Sequence, residues 1–279
     1  MTEKKKAVNG LLFALMIVLA ALFLAPIFIV LLNSFKTKFS IMGSPFKFPD
    51  KDTFVGFENY VTGIKSAGIG GAFLRSLFIT VFSVVVLTVL ASMTAWYLVR
   101  VKSGFTKFLY SLFIFSMIVP FQMVMYTMTY VVTKIRFNNP VGIIFVYVGF
   151  GAGLSVFMLS GFIKGVPLEL EEAAEIDGCN PVQKFFSIVF PILKPTAITV
   201  TILNAMWIWN DYLLPYLILG TSNKTLPVAI QIAMQGAYGS VNWGGFMAML
   251  VLAILPIIVF YLFCQRYIIE GVIAGAVKG

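Results

Sequence analysis

The sequence predicts an all-α fold: a polytopic membrane helix bundle of six transmembrane helices, with a short helix at the membrane surface between the fourth and the fifth. Three observations predict it. Hydrophobic residues make up 60% of the 279-residue chain and charged residues 11%, where soluble domains run at about 45–50% and about 25%. Five intervals (7–35, 76–99, 108–133, 137–163 and 225–265) contain no Asp, Glu, Lys or Arg, and a bilayer span takes roughly 20 apolar residues. None of these intervals shows the apolar/polar alternation that a membrane barrel needs.

Each element follows in chain order. Residues 1–10 form a polar N-terminus carrying Lys4, Lys5 and Lys6. Leu11–Leu32 is longer than a signal-peptide core and precedes no small-x-small cleavage site, so it is read as a retained first span. Asn33–Gly71 is a long polar loop with Pro45, Pro49 and the aromatics Phe54, Phe57 and Tyr60. Span two covers about 73–99. A basic turn (Arg100, Lys102, Lys107) leads to span three, about 108–132, with a kink expected at Pro120. Asn139-Pro140 pairs a capping amide with a proline suited to a first helical turn, and span four runs about 141–163. Residues 164–195 break the apolar pattern. Span five, about 196–219, carries one acidic residue, Asp211; a polar loop Thr221–Trp243 follows, then span six at about 245–263 and a tail, 264–279.

Composition excludes several chemistries. The chain has no histidine, so it holds neither a Ser-His-Asp device nor a histidine metal site, and no catalytic or metal-ligating residue is assigned. Cys179 and Cys264 stand alone, without CxxC spacing. The dipeptide Gly-Lys never occurs, so no phosphate-cradling P-loop is present, and no cofactor is expected. The net charge of +9 fits loops facing anionic membrane lipid; nothing suggests nucleic acid. With the N-terminus inside, eleven basic residues lie on the inner side and nine on the outer, a weak preference for that orientation.

The interval between spans four and five is the most informative. Pro167 suits a helix start, and Glu169, Glu171 and Glu172 complement the positive end of the helix dipole. Leu170, Ala173, Ala174 and Ile176 gather on one side, with Glu169, Glu172 and Glu175 largely opposite. Gly178 is placed to stop the helix in a left-handed conformation. Asn180-Pro181 then starts a second helix, Val182–Phe190, which Pro191 is expected to end. Periodicity alone allows a solvated interfacial helix equally well.

Glu172-Ala173-Ala174, Asp177-Gly178 and Ile188-x-Phe190-Pro191 resemble the EAA loop of ABC-importer permeases: Glu-Ala-Ala, three residues, Gly, nine residues, Ile-x-Leu-Pro, with Phe190 in place of the usual Leu. Asn33-Ser-Phe-Lys36, Pro45-Phe-x-Phe-Pro49, Phe57-Glu-Asn-Tyr60, Trp209-Asn-Asp-Tyr212, Thr225-Leu-Pro227, Gln265-Arg266 and the closing Gly275-Ala-Val-Lys-Gly279 extend the likeness over most of the chain. Together they resemble the maltose-transporter inner-subunit type of oligosaccharide permease. The resemblance implies an EAA coupling loop (Glu172, Ala173, Ala174, Asp177, Gly178) docked on a cytoplasmic ATPase. That would place residues 164–195 and both termini on the cytoplasmic side of the bacterial cell membrane. It also implies a second, homologous permease completing the pore, an ATPase dimer, and a sugar-binding protein outside that delivers an oligosaccharide.

Within the membrane, Asn204, Trp207 and Asp211 fall at i, i+3 and i+7 on one helix face, a mixture of aromatic and polar groups that a sugar path uses. Interhelical hydrogen bonding is the other account. Gln122, Tyr126 and Tyr130 make a similar stripe on span three, read as packing, and Gly149-x-x-x-Gly153 permits close helix contact. An ion-driven carrier using Asp211 is the rival reading, though paired repeats and interrupted helices in both halves are not evident. An intramembrane enzyme is disfavoured by the missing histidine and the missing Gly-x-Ser-x-Gly.

Overall fold

A computed structural model describes residues 3–235 and 241–276. The described chain is helical throughout, apart from connecting turns and one isolated antiparallel bridge between Lys36 and Phe54. In order, the elements are α1 (Glu3–Asn33), α2 (Lys38–Gly43), α3 (Glu58–Ala67), α4 (Ile69–Arg100), α5 (Gly104–Ile118), α6 (Phe121–Lys134), α7 (Gly142–Ile163), α8 (Glu169–Ile176), α9 (Pro181–Lys184), a π-helical turn (Phe185–Val189), α10 (Phe190–Asn210), α11 (Leu213–Leu219), α12 (Leu226–Gln235) and α13 (Trp243–Ala276). Five stretches are long and apolar enough to cross a bilayer: Asn9–Asn33, Ile69–Arg100, Gly142–Ile163, Pro181–Asn210 and Trp243–Tyr267. The sixth, α5 with α6, is a pair bent by 107°.

That bend is far sharper than a proline kink. Val119 and Pro120 both adopt extended backbone, so the break is a two-residue change of direction rather than one missing hydrogen bond. Three further expectations are corrected. Pro191 does not end a helix; the chain runs helically from Pro181 to Asn210. The turn before it widens into π geometry, with the Phe190 N–H bonding Phe185 O, so the donor that Pro191 lacks falls where the α-helical ladder is already interrupted. Span five does not continue to residue 219, because the helix stops at Asn210 and restarts at Leu213. The polar loop after it contains α12. Gly236–Ser240 of that loop and the end of the closing motif, 277–279, lie outside the described residues.

The chain divides into two compact units. The first comprises 1–70 and 229–256. Here the motifs Asn33-Ser-Phe-Lys36 and Phe57-Glu-Asn-Tyr60 lock each other. The Asn59 amide donates to Ser34 O and Lys36 O, each at 2.9 Å, and the Ser34 and Tyr60 hydroxyls meet at 2.7 Å. Phe35 packs against Phe54, Phe57 and Tyr60. The fully buried Lys36 has its ammonium on Ser44 O at 3.0 Å.

The second unit comprises 71–228 and 257–279. Its main core joins Leu87, Ala91 and Ala95 of α4, Val156, Leu159 and Ile163 of α7, Phe185 and Val189 of the π turn, and Leu193, Ala197 and Val200 of α10. Glycines set how closely these helices approach. A Cβ on Gly153 would stand 2.6 Å from Ser116 Oγ and 2.8 Å from Phe113 O, and one on Gly151 would collide with Leu87. Gly149 faces open space, so the close contact belongs to Gly151 and Gly153 and not to the Gly149-x-x-x-Gly153 pair. The Gln122, Tyr126 and Tyr130 stripe is exposed in this chain rather than packed within it. The 107° bend turns α6 away from the path that a straight span would follow.

Candidate functional site

The segment 164–195 holds α8, a glycine stop, α9 and the π turn that leads into α10. Helix α8 is short, with three acidic residues in its first turn, and isolated eight-residue helices are marginal in water. Its pose therefore depends on fixed ends and on tertiary anchors. The C-terminal end is fixed by Gly178, whose φ is +81°. Gly178 N–H bonds Glu175 O at 3.0 Å and Cys179 N–H bonds Ala174 O at 3.0 Å, the paired bonds of a Schellman stop. Two residues on, the Asn180 side chain accepts from Val182 N and Gln183 N while Gln183 Oε1 accepts from Asn180 N–H, a reciprocal cap that launches α9 into the long helix.

The anchor is Glu171, only 3% exposed. Trp96 Nε1 donates to Oε2 and Arg100 Nε donates to Oε1, both at 2.8 Å. Arg100 Nη2, 2.7 Å from Glu171 Oε1, also donates to Val166 O at 3.0 Å, so one guanidinium holds both α8 and the turn leading into it. Charge-assisted bonds of this kind are worth about 1.5–3 kcal/mol each. Lys184 pairs with Glu175 and stands 5.9 Å over the Trp96 ring, which itself packs on Phe185. Through Trp96 and Arg100 the far end of α4 grips α8, and through Phe185 the same cluster enters the core.

This arrangement settles which residues of α8 face the bundle. Leu170, Ala173, Ala174 and Ile176 do not turn inward together: Ala174 is buried, while Leu170, Ala173 and Ile176 are exposed, as are Leu168 and Val182. Glu171, bonded to Trp96 and Arg100, and Ala174 one turn on are the residues of α8 that face the bundle. Glu172, Ala173, Asp177 and Gly178 therefore present an outward surface of apolar patches edged by carboxylates, with Ala174 beneath it. Glu171 was the residue that sequence reasoning missed. Its partners lie 71 and 75 positions away, so no local pattern distinguishes it from Glu169 or Glu172.

The membrane trio is not gathered on one open face. Asn204 is buried, its amide donating to Ser155 Oγ at 3.1 Å on α7 and to Val200 O at 2.9 Å. Trp207 is 41% exposed and meets the Tyr147 ring edge-on at 5.5 Å. Asp211 lies past the last residue of α10. Its Oδ1 accepts from Leu213 N–H at 3.0 Å and Leu214 N–H at 3.4 Å, and its Oδ2 accepts from the Tyr147 hydroxyl at 3.0 Å. Asp211 thus starts α11 as a capping carboxylate, which also explains why span five breaks there. Among the described residues no cluster of Cys, Asp and Glu has the makings of a metal site.

Comparison with known proteins places this geometry. Residues 87–273 match the family described as binding-protein-dependent transport system inner membrane component. The chain is 40% identical to a probable starch degradation products transport system permease protein of Thermoanaerobacterium thermosulfurigenes, covering 94% of each chain. It is 36% identical to a multiple sugar-binding transport system permease protein of Streptococcus mutans (95% of this chain, 96% of the other). It is 34% identical to a melibiose/raffinose/stachyose import permease protein of Bacillus subtilis (91% of each). Its fold matches a crystal structure of a bacterial ABC transporter that imports the acidic polysaccharide alginate, with a TM-score of 0.80 at 20% identity over 96% of this chain and 98% of that one. The chain belongs to the family of binding-protein-dependent transport system inner membrane components.

Proposed function

We propose that this chain is the permease subunit of an oligosaccharide importer, that it forms half of the transmembrane path, and that it couples transport to ATP hydrolysis on a separate ATPase through α8. One observation carries the reading: α8 is fastened to the bundle from beneath by Glu171 while Glu172, Ala173 and Asp177 are left outward and unobstructed. A solvated interfacial helix has no need of a buried ion pair that fixes its rotation. A socketed helix does, because a push on α8 must reach the spans instead of being lost in a loose loop. Arg100 delivers that push to α4, and the Trp96–Phe185 contact delivers it to the π turn and α10.

In this reading α8 and both chain ends lie on the cytoplasmic side, where an ATPase dimer receives Glu172-Ala173-Ala174. A homologous permease covers exposed apolar surface within the membrane. A binding protein on the outer side delivers the sugar, as the family description and a neighbouring alginate transporter in complex with a pentasaccharide-bound periplasmic protein lead one to expect. The sugar class rests on the relatives named above. Trp207, half out of the bundle, is the membrane residue suited to stack on a sugar ring, with Asn204 and Asp211 holding the helices that position it. The chain itself contributes no bond-breaking group. The test is Ala173→Cys in a Cys179→Ser, Cys264→Ser background, treated with a heterobifunctional thiol-to-amine cross-linker so that any surface lysine of a neighbouring subunit can complete the bond. Cross-linking of that cysteine to an ATPase subunit in the assembled complex supports the reading. No cross-link from position 173, with efficient cross-linking from an outer-loop control at Lys51, overturns it.

A further inference from the structure

The two halves of the bent span show different outward faces. On α5, Phe105, Phe108, Leu112 and Phe115 fall at i, i+3, i+7 and i+10 and are all exposed, an apolar stripe suited to lipid tails. Past the 107° bend, α6 exposes Gln122, Tyr126 and Tyr130 at i, i+4 and i+8, the two tyrosines by 74% and 64%, with Thr127 and Thr133 exposed as well. The other side of α6 is taken up by the bundle: Val132 is buried, and Phe121 and Met128 pack into the core that holds Ile143, Tyr147 and Leu214.

Contacts with α7 give the depth of this face. The Phe121 ring meets Phe150 at 5.4 Å, and Phe137, just past α6, meets Phe145 at 5.6 Å. Phe150 lies about 12 Å past Gly142 along a helix of about 33 Å. Gln122, next to Phe121, therefore stands near the middle of the bilayer, and the stripe runs from there toward the Gly142 end of α7. Hydrocarbon offers an amide no partner, and polar side chains at this depth face protein or a water-filled cavity. A second observation at the same level agrees. Irregular backbone within a membrane is tolerated only where protein buries it or where it lines such a cavity, and Pro120, at the break, is exposed in this chain.

Side-chain chemistry separates a packed partner helix from a solvated ligand. Close helix contact in membranes is built on Gly, Ala and Ser, and the exposed side of α6 has none of these; it carries two tyrosine rings and Met123 instead. Rings flanked by amide and hydroxyl groups suit a sugar, whose C–H face lies on an aromatic ring while its hydroxyls find donors and acceptors. At the far end of the stripe the Lys134 ammonium stands 5.4 Å over the Tyr130 ring, which leaves Tyr126 as the more open platform.

We propose that the Gln122, Tyr126 and Tyr130 face of α6 lines the sugar path, with Tyr126 stacking on a sugar ring and the Gln122 amide bonding its hydroxyls beside the Pro120 break. The proposal rests on the importer reading above and adds a second ring to that of Trp207.

The test uses the assembled importer in nanodiscs, with Gln122→Cys placed in a Cys179→Ser, Cys264→Ser background. A charged, membrane-impermeant methanethiosulfonate labels the thiol, both without nucleotide and with ATP plus vanadate. Only the thiolate reacts, and it does not form in hydrocarbon, so in at least one state Gln122→Cys should label about ten-fold or more faster than Phe115→Cys on the α5 stripe. Maltotriose or raffinose, supplied on the binding protein, should slow that labelling. In uptake of the same sugars, Tyr126→Ala should be about 2- to 10-fold slower than wild type, the range one aromatic stack supplies, and Tyr126→Phe should recover most of the loss. No labelling of Gln122→Cys in either state, with Lys51→Cys of the outer loop labelling normally, overturns the proposal and gives the face to lipid or to the second permease. Labelling that neither sugar slows, or wild-type uptake in Tyr126→Ala, also overturns it. Both failures leave wild-type uptake intact and the importer reading standing. Absence of ATP-dependent uptake of either sugar by wild type strikes the importer reading itself, and this proposal with it.

Discussion

Replacing Gly178 by valine perturbs one torsion and almost nothing else. The residue sits at φ +81°, and a Cβ built there meets no atom within 4 Å, so the cost is confined to the backbone. A non-glycine residue in the left-handed region costs roughly 1–2 kcal/mol, and a β-branched one lies at the upper end. Relief requires giving up the Gly178 N–H···Glu175 O and Cys179 N–H···Ala174 O bonds, each worth about 1 kcal/mol, so neither route is free. A penalty of that size lowers the population of the native α8 pose by about 5- to 30-fold relative to its competitors. Because Gly178 lies outside the spans, the subunit should still insert. The expected outcome is normal membrane abundance, with ATPase co-purification and sugar uptake both reduced, by at most that factor. Gly178→Asn, which tolerates the left-handed region, should fall between valine and wild type. If Gly178→Val retains normal ATPase binding and uptake, the elbow has no role in coupling. If asparagine is as damaging as valine, the torsion is not the cause.

Glu171→Ala and Glu172→Ala should part company. The first strips a buried ion pair and leaves Arg100 unmatched, a loss of about 3–5 kcal/mol for a buried site, visible as lower thermal stability of the detergent-solubilised subunit; the second, on an exposed carboxylate, should stay within about 0.5 kcal/mol while lowering uptake. Gly151→Ala overpacks Leu87 and Asn204 and should cost about 1–3 kcal/mol, whereas Gly149→Ala, facing open space, should leave the melting temperature unchanged or raised. Trp207→Ala should slow sugar uptake in a complex that still assembles. Asp211→Ala removes a helix cap worth about 0.5–2 kcal/mol and should lower stability along with any change in transport.

The six membrane segments were legible because hydrocarbon enforces them: a charge-free interval of bilayer length has few other fates. The glycine stop at Gly178 and the amide caps at Asn139 and Asn180 were legible because each acts on neighbours within five positions of the chain. What stayed hidden was set by distant partners. The rotation of α8 is fixed by Trp96 and Arg100, which no local pattern around residues 169–176 reveals. Asp211 read as a residue on a helix face because nothing local reveals that Tyr147, 64 positions earlier, would hold it at a helix break. Pro191 read as a stop because a widened turn at Phe185–Val189 leaves no signature in hydropathy. Pro120 announced a break, but not one of 107°, because its angle depends on what α6 packs against after the turn.

The central claim, that this permease is driven from α8 by ATP and not by an ion gradient at Asp211, is tested most directly by reconstituted uptake. The chain, its partner permease and the ATPases are placed in sealed proteoliposomes with ATP regenerated inside and the sugar-loaded binding protein outside. Labelled-sugar accumulation is then followed with and without a protonophore. The account predicts uptake that requires internal ATP and the binding protein, persists with the protonophore, and is reduced in Gly178→Val. Uptake that needs no ATP, or that the protonophore abolishes while ATP is maintained, contradicts it.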